Sequence, residues 1–127
     1  MNINGREIRF FRSVLANCEI SEVSPEGDIN RLLTDQLIGG TYAVSQKAAA
    51  TIITALSKGY EFAQAAKDTK YKPRPLNMNE VLSLKDNEFL QLFEEAMTEF
   101  YNGGKITVEA EPEKKTGKKT AEGEKSS

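Results

Sequence analysis

"VSQKAAATIITALSKGYEFAQAAK", residues 44–67, is the stretch on which the fold turns. Ala49, Ile52, Ile53, Leu56, Tyr60 and Ala63 recur at three- and four-residue steps, the period of one face of an α-helix. Many of the remaining positions are alanine, which lets a neighbouring helix approach closely. A helix from about Val44 or Ser45 to Lys67 is therefore the expected centre of the molecule. Gly59 costs about 1 kcal/mol relative to alanine inside a helix, which predicts a bend or a close helix contact at that point.

Upstream, "MNINGREIRFF" places Asn4-Gly5 between two short alternating runs, and Asn-Gly supplies the positive φ angles of a two-residue hairpin turn. Strands are expected at 1–4 and 6–10. From Phe11 the period becomes helical. Phe11, Val14, Leu15, Cys18 and Val23 predict a helix over 12–23 with Cys18 on its buried side, stopped by Ser24-Pro25-Glu26-Gly27. Asp28 is placed to cap a short helix carrying Ile29, Leu32, Leu33 and Leu37, which ends at Gly39-Gly40.

Downstream, Pro73 and Pro75 each remove a backbone donor and push the residue before them toward an extended conformation. Asn77 or Asn79 caps a short helix through about Leu84. Asp86 opens the last helix, in which Phe89, Leu90, Leu92, Phe93, Ala96, Met97, Phe100 and Tyr101 cover a wide apolar arc ended by Asn102-Gly103-Gly104. The aromatic residues of that arc read mainly as core. Its width leaves room for part of it to bury against a second subunit, a possible homo-oligomer. "KITVE", residues 105–109, is expected to add a third short strand to the hairpin, and low hydrophobicity with mixed charge predicts a disordered tail beyond Glu111. The expected fold is mainly α: about five helices with an N-terminal β-hairpin over 1–104, then a flexible charged tail over 105–127.

Composition narrows the function classes. The chain of 127 residues fits one domain. Seventeen Lys+Arg against nineteen Asp+Glu give a net charge of −2 spread along the chain, which argues against nucleic acid as the main partner. No stretch approaches a membrane span, so a soluble, intracellular protein with no membrane partner is expected. With no histidine and one cysteine, the commonest general base, the commonest zinc ligand and paired-cysteine redox chemistry are all missing, and no catalytic residue, cofactor or metal is assigned. Glu94, Glu95 and Glu99 read as a solvated helix face. Lys70, Tyr71, Lys72 and Arg74 read as a solvated loop. An interaction protein accounts for this chain better than an enzyme.

The order of features then becomes informative: an "INGREIRF" hairpin, "VLANCEISEVSPEGD", a helix ending "ALSKGYEFA", a "YKPRPLNMNEVLSL" proline loop and a "VEAEPEKK" tail. This order resembles the tail assembly chaperones of long, non-contractile-tailed phages and prophages of Gram-positive bacteria. The resemblance implies a non-enzymatic protein of the host cytoplasm, absent from the finished virion, that binds the tape-measure protein, keeps it soluble and helps recruit tail-tube protein. It also implies a longer form made by −1 ribosomal frameshifting. A structural virion component, such as a head-tail connector or minor tail protein, and a small regulatory adaptor are the other readings. For partner binding by a helix-in-groove mode, the expected residues are exposed parts of Ile52, Leu56, Tyr60, Phe93, Met97 and Tyr101.

The frameshift makes the tail testable. Glu113-Lys114-Lys115 and Gly117-Lys118-Lys119 can be encoded GAA AAA AAG and GGA AAA AAG, each containing a run on which two tRNAs re-pair after slipping back one base. The nucleotide sequence is expected to carry such a heptamer followed by an open −1 frame. Codons that cannot slip, or an immediate stop in that frame, would remove the frameshift.

Overall fold

The structure, a computed structural model, describes residues 1–103. It is mainly helical, with five α-helices and an N-terminal two-stranded hairpin among those residues. The strand expected at 105–109, the tail and its lysine pairs lie outside the described residues.

The hairpin forms where expected but is shorter. Strand β1 (Asn2–Ile3) pairs antiparallel with β2 (Arg6–Glu7) in the register Asn2↔Glu7 and Ile3↔Arg6. Asn4 and Gly5 take φ values of 53° and 79°, the left-handed pair a tight hairpin turn needs. Ile3 and Ile8 are buried, which docks the hairpin on the helices. The α-amino group of Met1 donates to Glu7 Oε2 at 3.0 Å, to Glu95 Oε1 at 3.1 Å and to the Ile8 carbonyl at 3.1 Å. Burial alone would lower its pKa, but the two carboxylates outweigh that and hold it above the ordinary value.

The chain leaves the hairpin because another element captures it. Phe11 N donates to the Leu56 carbonyl at 3.1 Å, and helix α1 (Val14–Glu22) starts just beyond, its Ser13 Oγ accepting from Ala16 N at 3.1 Å. The central helix α3 (Tyr42–Lys67) carries Gly59 at this crossing. A Cβ there would stand 2.7 Å from Ser13 Oγ and 3.3 Å from Ala16 Cβ, and would overlap the Phe11 carbonyl oxygen. Of the two readings of Gly59, the close contact is the one realised.

That crossing overturns the face expected for α1. The helix buries Ala16 and Ile20, while Val14 is 80 % exposed and Leu15, Cys18 and Val23 are also exposed. Successive residues turn about 100° around a helix. Pinning Ser13 and Ala16 against Gly59 therefore swings the larger Val14 and Leu15 outward, and Cys18 with them.

Between α1 and α3, Asp28 caps α2 (Ile29–Arg31) through a bond from Asn30 N to Oδ1 at 2.9 Å. The coil then widens into a π-helical segment (Leu32–Ile38) with Leu32 buried. Gly39-Gly40 ends it as expected, and Thr41 caps α3.

From Ala48 to Leu56, α3 buries residues on almost every side: Ala48, Ala49, Ala50, Ile52, Ile53, Ala55 and Leu56. A helix apolar all round belongs at the middle of a fold. It touches α1, the π-helical segment, α4 (Met78–Leu82) and α5 (Asp86–Gly103). Asn77 and Glu80 form a reciprocal capping box at the start of α4. Arg12 holds the far end of α5: its Nη1 donates to the Phe100 carbonyl at 2.6 Å, its guanidinium lies 4.0 Å over the Phe100 ring, and its backbone N donates to Glu99 Oε2 at 3.0 Å.

The proline segment is held by two polar side chains of α3. Pro73 and Pro75 lack N–H groups, so Arg74 and Leu76 supply the donors of this extended run. Arg74 N donates to Glu61 Oε1 and Leu76 N to Ser57 Oγ, both at 2.9 Å. Two extended residues advance about 6.6 Å and four helical residues about 6 Å, so the spacings match when the segment runs antiparallel to the helix. Tyr71 Oη also donates to Glu61, at 2.8 Å, and this bond raises the Tyr71 pKa above its ordinary value.

The crossing at Gly59 sets a test. Gly59→Ala adds a methyl where backbone already sits, and is expected to lower stability by about 1–3 kcal/mol despite the better helix propensity of alanine. Urea unfolding of the two proteins measures it, and a variant at least as stable as the parent would refute the close contact.

Candidate functional site

The last helix carries more apolar surface than the fold consumes. Leu92, Ala96 and Phe100, spaced by four residues, are buried against the core. Phe89, Phe93 and Met97 on the flank are only partly buried. Beyond them Leu90 is 55 % exposed and Tyr101 57 % exposed.

Two depressions open along this edge of α5. The first, about 360 Å³, lies between Leu37 of the π-helical segment, Tyr42 and Ala49 of α3, Leu82 and Leu84 at the end of α4, and Phe89, Leu90 and Phe93 of α5. The second, about 420 Å³, is lined by Phe93, Met97 and Tyr101 with Glu94, Thr98 and Asn102. Phe93 is shared, so the two join into one strip. From Phe89 to Tyr101 the strip runs twelve residues of helix, about 18 Å, or some three turns of a helix laid alongside it.

Local chemistry explains why the strip stays open. Ser45 Oγ donates to the Leu37 carbonyl at 2.6 Å, which ties the π-helical segment to the start of α3 and sets one wall. The capped α4 sets the other, with Val81 buried and Leu82 exposed. Neither wall reaches across α5, so the outer edge of the arc has no neighbour among the described residues.

Three of the six residues expected to bind a partner fall on this strip: Phe93, Met97 and Tyr101. Ile52 and Leu56 do not, because both are 0 % exposed beneath the surrounding helices. They build the core and have no surface to offer. Tyr60 is half-buried on the other end of α3 and lines neither depression. Sequence reasoning missed Leu37, Tyr42, Leu82 and Leu84, which lie on three other elements. The excess width of the arc on α5 was the one signal that pointed to the strip.

The strip is mainly apolar. Its polar members are Ser45, Gln46, Asp86, Glu94, Thr98 and Asn102. Among the described residues no three potential metal ligands come together, and no helix is long and apolar enough to cross a membrane. What the arrangement offers chemically is an elongated apolar contact with an acidic edge.

Comparison with known proteins yields no match to a family model, to a curated protein or to a solved structure.

Position on the arc predicts opposite outcomes for two neighbouring leucines. Leu92→Ala, which opens a cavity in the core, is expected to cost about 2–5 kcal/mol. Leu90→Ser is expected to change stability by about 0.5 kcal/mol or less. Thermal unfolding of both variants decides it, and a large loss at Leu90 would mean that the strip is covered.

Proposed function

We propose that this protein is a tail assembly chaperone of a long, non-contractile-tailed phage or prophage. It acts in the host cytoplasm, binds the tape-measure protein, keeps that protein's long amphipathic helices soluble and helps recruit tail-tube protein. A longer form arises by −1 frameshifting at the Lys114-Lys115 or Lys118-Lys119 codons. The chain works by contact alone, without catalysis or cofactor.

The observation that carries this reading is the strip on α5. A partly exposed apolar run about three helical turns long, walled along its first half by Leu37, Tyr42 and Leu82 and open beyond, has the length of a seat for a helix. The order of the hairpin, the alanine-rich helix and the proline loop, with its resemblance to this family, supplies the identity of the partner. Binding through such a strip shields apolar surface that would otherwise drive the client to aggregate, at about 25 cal/mol per Å² covered.

Co-expression tests it. The full chain is expected to raise the soluble fraction of a tape-measure fragment severalfold, and a Leu90→Ser, Tyr101→Ser double variant is expected to lose most of that effect while remaining folded. A fragment equally soluble with and without the chain would defeat the proposal.

A further inference from the structure

We infer that the strip selects a helix whose apolar stripe is flanked by lysine or arginine; this rests on the chaperone reading and specifies the client it takes. The argument is electrostatic. Helix α5 carries Asp86, Glu88, Glu94, Glu95 and Glu99 and no lysine or arginine. Two of these are engaged elsewhere: Glu95 with the Met1 ammonium at 3.1 Å and Glu99 with the Arg12 backbone N at 3.0 Å. Asp86 and Glu94 line the strip itself, and neither has an ion-pair partner among the described residues. No cation lines either depression.

An apolar seat with an uncompensated acidic edge attracts a basic-rimmed helix and repels an acidic one. Charges at the rim of an interface set partner choice and on-rate more than they set total affinity. Glu94 sits beside the shared Phe93, near the middle of the strip, so its field reaches both halves within a Debye length of about 8–10 Å.

The same charge disfavours a second copy of this chain as occupant. A two-fold pairing of α5 with itself is either parallel, which sets each residue beside its own counterpart, or antiparallel, which when centred on the helix does so near the midpoint. Residues 86–103 have their midpoint between Glu94 and Glu95. Such a dimer would bring the Glu94 carboxylates of both copies together with no cation of α5 to separate them. A cationic helix meets no such conflict.

The experiment uses the full chain and two labelled peptides of about 15 residues. They share one leucine stripe at helical spacing and differ only in whether that stripe is flanked by lysine or by glutamate. Fluorescence anisotropy at low salt is expected to give about tenfold tighter binding of the lysine peptide, and the preference is expected to shrink to about threefold at 0.5 M salt. Glu94→Lys is expected to abolish the preference, and Glu94→Gln to reduce it, with circular dichroism confirming that both variants fold.

Equal affinity for the two peptides, or a preference that Glu94→Lys leaves unchanged, overturns the inference. So does a chain that binds neither peptide and sediments as a dimer that Leu90→Ser dissociates, since the strip is then an interface between copies. If the lysine peptide binds as expected while the tape-measure fragment gains no solubility, the charge selection stands and the chaperone function fails.

Discussion

Helix α3 is buried round most of its circumference between Ala48 and Leu56, and one neighbour cannot supply that burial. A helix with a single apolar face is finished by packing it once. This one must be walled by α1, the π-helical segment, α4 and α5, so every other element is placed by its need for cover. The alanines set the distances. With Ala48, Ala49, Ala50 and Ala55 on the helix and Gly59 beyond them, neighbours approach to backbone range, and the Phe11 N to Leu56 carbonyl bond is a product of that closeness. An unpaired polar group inside such a centre would be costly, and Ser57 and Glu61 escape that cost by receiving the two backbone donors of the proline segment.

The surface proposed to bind a partner follows from the same requirement. Helix α5 buries Leu92, Ala96 and Phe100 fully against the core, with Phe89, Phe93 and Met97 packed partly beside them. Phe89, Phe93 and Met97 are only partly covered and Leu90 and Tyr101 are exposed, the first part of the run walled by Leu37, Tyr42 and Leu82. Apolar surface left in water does not stabilise the isolated fold, and the proposed function gives it an occupant. The acidic edge gives the surface a sign as well as a shape.

Elements were legible in the sequence wherever the signal was local. The Asn4-Gly5 turn, the stop at Ser24–Gly27, the Asp28 cap, the break at Pro73 and Pro75 and the Asn77 cap all depend on a few adjacent residues, and all appear at their expected places. Contacts between distant segments were not legible. The stripe Val14, Leu15 and Cys18 looks like a buried face because its residues are larger than Ala16, yet Gly59 accepts only the smallest side chain and so selects Ala16. Ile52 and Leu56 lie on the apolar face read from the sequence and were expected to leave exposed parts for a partner, but the elements packed round α3 cover both completely. For the strip, Phe93, Met97 and Tyr101 are legible because they share α5, whereas its walls come from other segments, Leu37 and Tyr42 some forty or more residues earlier and Leu82 and Leu84 just before the helix.

The sequence by itself determined the helical class, the hairpin and the punctuation between elements, because backbone preferences and caps act over four or five residues. It also determined that α5 has more apolar surface than one contact needs. Only the tertiary structure decided which way each helix faces and which apolar residues remain outside. Those outcomes depend on how closely two backbones approach at Gly59 and on where the walls of α5 end, and both are properties of pairs of segments that no single segment encodes.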